Sequence, residues 1–422
     1  MHDLKALRTD PSGFDRALLR RGVADASACV LAADARLRAA QTALQADLAR
    51  RNEASKAIGA AVAQGDAAGA EALKAEVAAL KARIAAGEEA VRAGTEEVHA
   101  LLAALPNLPA DDVPDGLDET GNVEQHRCGE TPRLALEHDA LAARLGLDAQ
   151  AAARVAGSRF AVLRGGLARL HRALGAFMLD RHVAHGWQEV SPPLLVREEA
   201  MFGTAQLPKF RDEQFETTDG RWLIPTAEVS LTNLAREQIL DEDALPMRMA
   251  ALTPCFRKEA GAAGRDTRGL IRQHQFEKVE LVTICTPEQA DAEHAHMLSA
   301  AEGVLEALGL SFRRLLLCAG DMGFAARRTF DLEVWLPGAG AFREIASVSW
   351  CGDFQARRMD ARCRAPGEKG TRFVHTLNGS GVAVGRALAA LLETFQQPDG
   401  SVMVPPPLLP YMGGLDRLCP EP

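Results

Sequence analysis

The sequence predicts an α+β protein: an antiparallel β-sheet flanked by helices, preceded by an N-terminal antiparallel α-helical coiled-coil hairpin. Three observations carry this reading. From about Asp25 to Leu105 the chain has no proline and is dominated by Ala, Glu, Lys, Arg and Leu, the mix of long helices. A cluster of prolines and aspartates follows. Beyond about Gly157, helical stretches mix with β-rich runs such as WLIPTAEVSL, FEKVELVTI, RTFDLEVWL and FREIASVSW, without the regular βαβ alternation of a parallel sheet.

The hairpin is the first element. Val30, Leu37, Leu44, Leu48, Ile58 and Val62 fall on three- and four-residue steps, and so do Leu73, Val77, Leu80, Ile84, Val91, Val98, Leu101 and Leu105. Each helix therefore has one apolar seam. The break at Gln64–Gly69 (QGDAAG) is short, so the helices must fold back on each other as a protruding arm, each roughly 55 Å long at ~1.5 Å per residue. Arg36, Arg38, Arg50, Arg51, Lys56, Lys74, Lys81, Arg83 and Arg92 read individually as solvated coiled-coil positions; as a set they could track a phosphate backbone.

Pro106, Pro109 and Pro114, with Asp111, Asp112, Asp115 and Gly116 among them, end the second helix. The expected organisation is an N-terminal domain over 1–110 with its arm at about 25–105, a linker over 111–156, and a domain over 157–422. The formal net charge of −9 argues against a surface that attracts nucleic acid everywhere, and gives no reason to expect DNA as a partner. Eight cysteines without a CxxC pair fit neither a disulfide framework nor a zinc site. The N-terminus MHDLKALRTD lacks the parts of a signal peptide, and no apolar run approaches the ~20 residues that span a bilayer, so a cytoplasmic protein is expected.

The C-terminal domain carries its chemistry on charged strands. Phe256–Glu280 (FRKEAGAAGRDTRGLIRQHQFEKVE) places two strand-like runs around a loop of three glycines and two arginines. Alternation puts Arg257 and Glu259 on one face and Arg272, Phe276 and Glu280 on one face of the returning strand. Cations, carboxylates and a ring in one patch suit an ATP-sized ligand; a solvated, salt-bridged hairpin explains the same charges. Thr226 and Glu228, two apart in a strand-like PTAEVSLTN, could receive an ammonium group or simply face solvent. Glu344 and Ser347 offer hard oxygens of the kind that hold Mg²⁺ near phosphates, or a structural ion pair. LNGSGVAVGRALAALLETFQ (Leu377–Gln396) turns through Gly379 and Gly381 into a helix with Arg386 near its start and a stripe of Leu388, Leu391, Leu392 and Phe395. The spacings of the P-loop and of the dinucleotide fingerprint are both absent.

Together PTAEVSLTN, the Phe256–Glu280 run and LNGSGVAVGR resemble the bacterial seryl-tRNA synthetases, which are class II enzymes. The resemblance extends over nearly the whole chain, through the hairpin, GWQEVSPPLLV as the dimer-interface motif, MFGTAQLPKF and the C-terminal PYMGG. It implies a six- to seven-stranded antiparallel sheet, a homodimer, ATP as cosubstrate and Mg²⁺ as metal. It also implies L-serine as amino acid and a grip on tRNA(Ser), and on tRNA(Sec) where one exists, by the helical arm. Arg257 and Arg386 are the implied catalytic residues: Arg257 on the α-phosphate and the serine carboxylate, Arg386 on the γ-phosphate. The resemblance gives Glu259 the adenine amino group, Phe276 the purine face, and Arg268 and Arg272 the distal phosphates, with Lys258, Ile345 and Ala346 completing the ATP set. Glu344 and Ser347 would bind the metal; Thr226, Ala227, Glu228, Glu280, Asn378 and Ser380 would line the serine site with Arg257.

One departure stands out. After Glu344 the family usually has a Ser-Ser-Cys-Ser run and then a small polar residue, whereas this chain has Ala346, Ser347, Val348, Ser349 and Trp350. The bulky ring implies either repacking or altered specificity. The rival readings are a paralogue activating serine or an analogue for a specialised pathway, and a catalytically inactive RNA-binding protein.

Overall fold

The computed structural model describes residues 1–134, 136–260 and 269–420. They form two compact units, one of His2–Leu19 and Val23–Leu105, the other of Met1, Arg20–Gly22 and the chain from Pro106 onward.

In the first unit, helix α1 (Ala26–Ala63) and helix α2 (Ala67–Ala103) run antiparallel, 38 and 37 residues long. Reversal needs few residues: Gly65 adopts φ +76°, and the Asp66 side chain caps α2 by accepting from the Gly69 N–H at 2.9 Å. Val30, Leu80, Ile84 and Val98 are buried along the seam. Gly87 and Gly94, a heptad apart, lie where a Cβ would come within 3.2 Å of Leu44 and 3.3 Å of Leu37, so the lack of side chains lets the helices close. Val62, expected on the seam, is 62% exposed because it lies next to the reversal, where the partner helix no longer covers it. Ion pairs cross the hairpin at Arg36–Glu97, Arg50–Glu76 and Arg83–Asp47, each at 2.6 Å. Arg38, Lys74 and Arg92 pair with carboxylates on their own helices.

The second unit is built on one eight-stranded sheet. Its strands are β1 (Val123–Cys128), β2 (Gln188–Glu189), β3 (Met247–Phe256), β4 (Gln275–Cys285), β5 (Phe312–Leu316), β6 (Arg328–Leu336), β7 (Ala341–Gly352) and β8 (His375–Ala383). The spatial order is β1-β5-β6-β7-β8-β4-β3-β2, antiparallel except for the short β2–β3 pairing at the edge. The two edge strands account for the excess over six or seven. β1 comes from residues 111–156, read from the sequence as a linker; its residues are nearly all exposed, so no apolar alternation marked it as a strand. The same segment supplies helix α3 (His138–Leu145), which buries Leu141, Ala142 and Leu145.

Alternation gives the sheet two different faces. Val279, Leu281, Leu332, Val334, Val348 and Leu377 point into a core closed by helices α4 (Gly165–Ala184), α6 (Ala290–Ala307) and α7 (Val384–Thr394). The intervening residues Phe276, Lys278, Glu280, Ser347, Ser349, Asn378 and Ser380 line a cavity on the other face. Gly379 and Gly381, expected in a turn, are strand residues of β8. They are small because a Cβ would meet Met297 Sδ at 2.9 Å and His182 Nε2 at 2.6 Å, respectively.

Candidate active site

The cavity holds about 440 Å³ and is bounded by β4, β7 and β8, by the chain beyond the ends of β3 and β4, and by residues Thr204–Gln206 and Gly323–Ala326. Of the residues singled out from the sequence, Thr226, Glu228, Arg257, Glu259, Arg272, Phe276, Glu280, Glu344, Ile345, Ser347, Asn378, Ser380 and Arg386 all line it.

Thr226 and Glu228 reach it differently from the expectation. Pro225 cannot extend the ladder of the short strand Trp222–Leu223, and the chain turns into helix α5 (Glu228–Thr232). The Thr226 hydroxyl accepts from the Glu228 N–H at 3.3 Å, and the Thr226 carbonyl accepts from the Val229 N–H at 3.3 Å. Every residue of α5 is buried, so the apolar run carried no period by which to tell helix from strand. Glu228 Oε1 accepts from Gln355 Nε2 at 2.7 Å, and Gln355 Oε1 accepts from Thr376 Oγ1 at 2.6 Å. Burial first, then the negative charge of Glu280, push the Glu228 carboxyl up to about 7.

On β4, Phe276, Lys278 and Glu280 alternate onto the cavity face. The buried Lys278 Nζ donates to Thr226 Oγ1 at 3.0 Å and pairs with Glu280. Burial raises the Glu280 carboxyl and the Lys278 charge opposes it. Arg257, Glu259 and Arg272 lie just past the ends of β3 and β4, not within them. The Arg257 N–H still donates to the His274 carbonyl at 2.9 Å, which holds its backbone in line. Its guanidinium lies 5.3 Å from the Phe276 ring centre, with Nε donating to the Pro225 carbonyl at 3.2 Å. Glu259, at φ +50°, accepts from Arg272 Nη1 at 2.7 Å.

Glu344 and Ser347 are three apart, which simple alternation would put on opposite faces. A β-bulge resolves this: Glu344 opposes Glu333 and Ala346 opposes Leu332, leaving Ile345 as the extra residue. Ser347 consequently shares the cavity face with Glu344. Arg386 Nη1 donates to the Glu344 carbonyl at 2.7 Å, and its positive charge is the main reason the Glu344 carboxyl sits below its ordinary range. Directly opposite Ser347 stands Asp331. Its Oδ1 is buried without a hydrogen-bond partner, and burial followed by the Glu344 charge raises it well above the usual carboxylate range.

Three of the expected residues stand elsewhere. Ala227 is fully buried beneath the cavity wall, in the cluster with Leu231 and Met249. Lys258 alternates away from Arg257, its Nζ 5.7 Å from the Phe215 ring centre. Ala346 faces the helical core because the bulge moved its neighbours to the other side. Arg268 lies outside the described residues. Trp350 also points away from the cavity: its ring lies between the guanidiniums of Arg327 and Arg328, 5.3 and 5.2 Å from its centre, and its Nε1 donates to His375 Nδ1 at 3.3 Å. The large side chain is therefore not part of the cavity lining.

Lys278, Gln355 and Asp331 were missed. Lys278 was legible, since it lies between Phe276 and Glu280 on the same alternating face. Gln355 and Asp331 carried no comparable signal; their roles arise from tertiary pairing.

Among the described residues Lys278 pairs with Glu280, Arg272 with Glu259 and Arg386 with Glu344, whereas Arg257 has no carboxylate at ion-pairing distance. An antiparallel sheet with helices on one face presents on the other an arginine above an aromatic ring, the arrangement that the resemblance to the class II aminoacyl-tRNA synthetases implies. Residues 210–395 match the tRNA synthetase class II core domain (G, H, P, S and T), and residues 1–109 match the seryl-tRNA synthetase N-terminal domain. The chain is 67% identical over its full length to a serine–tRNA ligase of Rhizorhabdus wittichii and 65% identical to that of Sphingopyxis alaskensis, covering all of both. A crystal structure of seryl-tRNA synthetase from Pyrococcus horikoshii complexed with ATP superposes with a TM-score of 0.93 at 33% identity, with both chains covered completely. The chain belongs to the seryl-tRNA synthetases.

Proposed function

We propose that this cavity activates L-serine with ATP, releasing pyrophosphate, and then passes the seryl group from the adenylate to the 3'-terminal adenosine of tRNA(Ser). The uncompensated Arg257 beside Phe276, in one cavity with Glu228 and Glu280, is the observation that carries the reading. The serine carboxylate is ionised at neutral pH and attacks the α-phosphorus directly, so no protein base is required. Arg257 would hold the attacked phosphate and the attacking carboxylate together; Phe276 would stack on the purine and Glu259 would accept from its amino group. Arg272 and Arg386 would take the distal phosphates as these enter in competition with Glu259 and Glu344.

Hard oxygens from Glu344 and Ser347 on one face, with the orphaned Asp331 Oδ1 on the neighbouring strand opposite Ser347, fit Mg²⁺. When bound, the ion would offset phosphate charge. Among the described residues no cluster of three His, Cys, Asp or Glu is arranged as a metal site, so its remaining ligands would come from phosphate and water.

The serine ammonium would enter between Thr226, Glu228 and Glu280, with Asn378 and Ser380 beside them. Polar groups aimed at the serine hydroxyl would be left unpaired by alanine, and threonine would be excluded by fit. A Glu228 carboxyl that ionises at about 7 in the ligand-free protein must lose its proton to receive a cation. The kcat/KM for serine is therefore expected to fall about tenfold per pH unit below pH ~7, and Glu228→Gln to abolish that limb while raising the KM for serine. A profile flat down to pH 5.5 in the unsubstituted protein would refute this role.

The N-terminal unit would bind the long arm of tRNA(Ser), and of tRNA(Sec) where present, and the catalytic unit would pair with a second copy. Among the described residues no helix is long and apolar enough to cross a membrane. The whole reading is tested by amino-acid-dependent ATP–pyrophosphate exchange with serine, alanine, threonine, cysteine and a serine hydroxamate-type analogue. Exchange confined to serine and its close analogue is expected. Preference for another amino acid would indicate a specialised paralogue, and no exchange would favour an RNA-binding protein.

A further inference from the structure

His138, at the start of α3, belongs to the segment that reads as a linker, yet its ring is committed to two partners and its backbone N–H to one of them. Its Nδ1 lies 3.0 Å and its backbone N–H 2.9 Å from Glu393 Oε1, while its Nε2 lies 3.4 Å from the Leu270 nitrogen. Glu393 is wholly buried in α7, and its second oxygen accepts from the Gly338 and Ala339 N–H groups at 2.8 and 3.2 Å. Committed as it is to accepting, this carboxylate fixes the proton of the ring on Nδ1 and leaves Nε2 as the acceptor for the Leu270 N–H. One neutral tautomer thus satisfies every partner. Gly269 makes room: it adopts φ +69°, and a Cβ there would fall 2.2 Å from His138 Nε2.

The chain that His138 fixes is a wall of the cavity. Leu270, Ile271 and Arg272 all line it; the Ile271 carbonyl accepts from Arg386 Nε at 3.4 Å, and Arg272 pairs with Glu259 at 2.7 Å. We propose that His138 is a positioning residue for the ATP half of the site, holding the Leu270–Arg272 backbone so that Arg272 and Arg386 meet the distal phosphates. This rests on the cavity being the site of ATP-dependent serine activation.

Two variants of the full-length protein separate the two sides of the ring. In His138→Asn the amide nitrogen can replace Nδ1 toward Glu393 but nothing reaches Leu270. In His138→Gln the side-chain oxygen can replace Nε2 toward Leu270. H138N is expected to raise the KM for ATP in pyrophosphate exchange about tenfold, the scale of one lost hydrogen bond, with the KM for serine unchanged. H138Q is expected to restore the KM for ATP to within about twofold of the unsubstituted value. Hydrogen exchange at the Leu270 amide should accelerate in H138N and not in H138Q. Equal effects of both variants on the KM for ATP and on the amide, or no effect of either, would overturn the proposal. Absence of exchange activity in the unsubstituted protein would instead defeat the reading of the site, and the Leu270 amide would then decide on its own whether His138 holds this wall.

Discussion

Arg257→Ala is expected to lower serine-dependent ATP–pyrophosphate exchange by about a thousandfold or more, the scale seen when a preorganised donor to transition-state charge is removed. The fall should be mainly in kcat, because the fork acts on charge that develops as the α-phosphate is attacked. Arg257→Lys should recover little, since a point charge cannot bridge carboxylate and phosphate as a planar fork does. The structure gives a specific reason for the size of the effect: among the described residues the other cations of the cavity are paired with Glu259, Glu280 and Glu344, and Arg257 has no carboxylate partner. Its side chain is held by the Pro225 carbonyl and the Phe276 ring, so it is oriented without being neutralised. Affinity for tRNA(Ser), measured by filter binding, should stay within about twofold, as phosphate contacts of the arm would dominate it. Undiminished exchange in the alanine variant would remove Arg257 from the chemistry.

What the sequence disclosed and what it hid follow from how each residue reaches the cavity. Phe276 and Glu280 lie four apart on β4, where period-two alternation makes the shared face readable, whereas Asn378 and Ser380 came from the resemblance alone, since their stretch of β8 read as a turn. Glu344 and Ser347 were named for their chemistry; their common face depends on the bulge at Ile345, and no alternation rule would have placed it. Thr226 and Glu228 were placed on a strand because a short, wholly buried apolar run lacks a diagnostic period. Edge strand β1 and His138 were concealed within an apparent linker: β1 is polar on both sides, and the value of His138 lies in partners 255 and 132 positions away. The hairpin was the most legible element, since a heptad repeat is a local pattern and its partner helix follows at once. Even there Val62 was misassigned, at the end where the repeat continues past its cover.

The largest effect on tRNA is expected from removing the hairpin. Replacing Asp25–Leu105 by a short Gly/Ser linker should lower kcat/KM for aminoacylation of tRNA(Ser) by about a thousandfold or more while leaving pyrophosphate exchange within about threefold. The reasoning starts from independence of cores. The seam of α1 and α2 is closed by Val30, Leu80, Ile84 and Val98 within its own unit, while the sheet and its helices bury a separate cluster. Being antiparallel, the hairpin brings its two ends together, so excision asks only a short connection of the chain. Its charges would favour RNA through exchange and not through excess: Arg36, Arg50 and Arg83 already hold carboxylates across the hairpin, and phosphates would have to compete with Glu97, Glu76 and Asp47. Such exposed pairs contribute little to stability, so giving them up to phosphate costs little. The intact protein should consequently lose tRNA affinity steeply as salt rises, and the deletion variant should show a nearly flat dependence. Normal charging by the deletion variant would show that the hairpin is not the tRNA-binding element, whatever its charges.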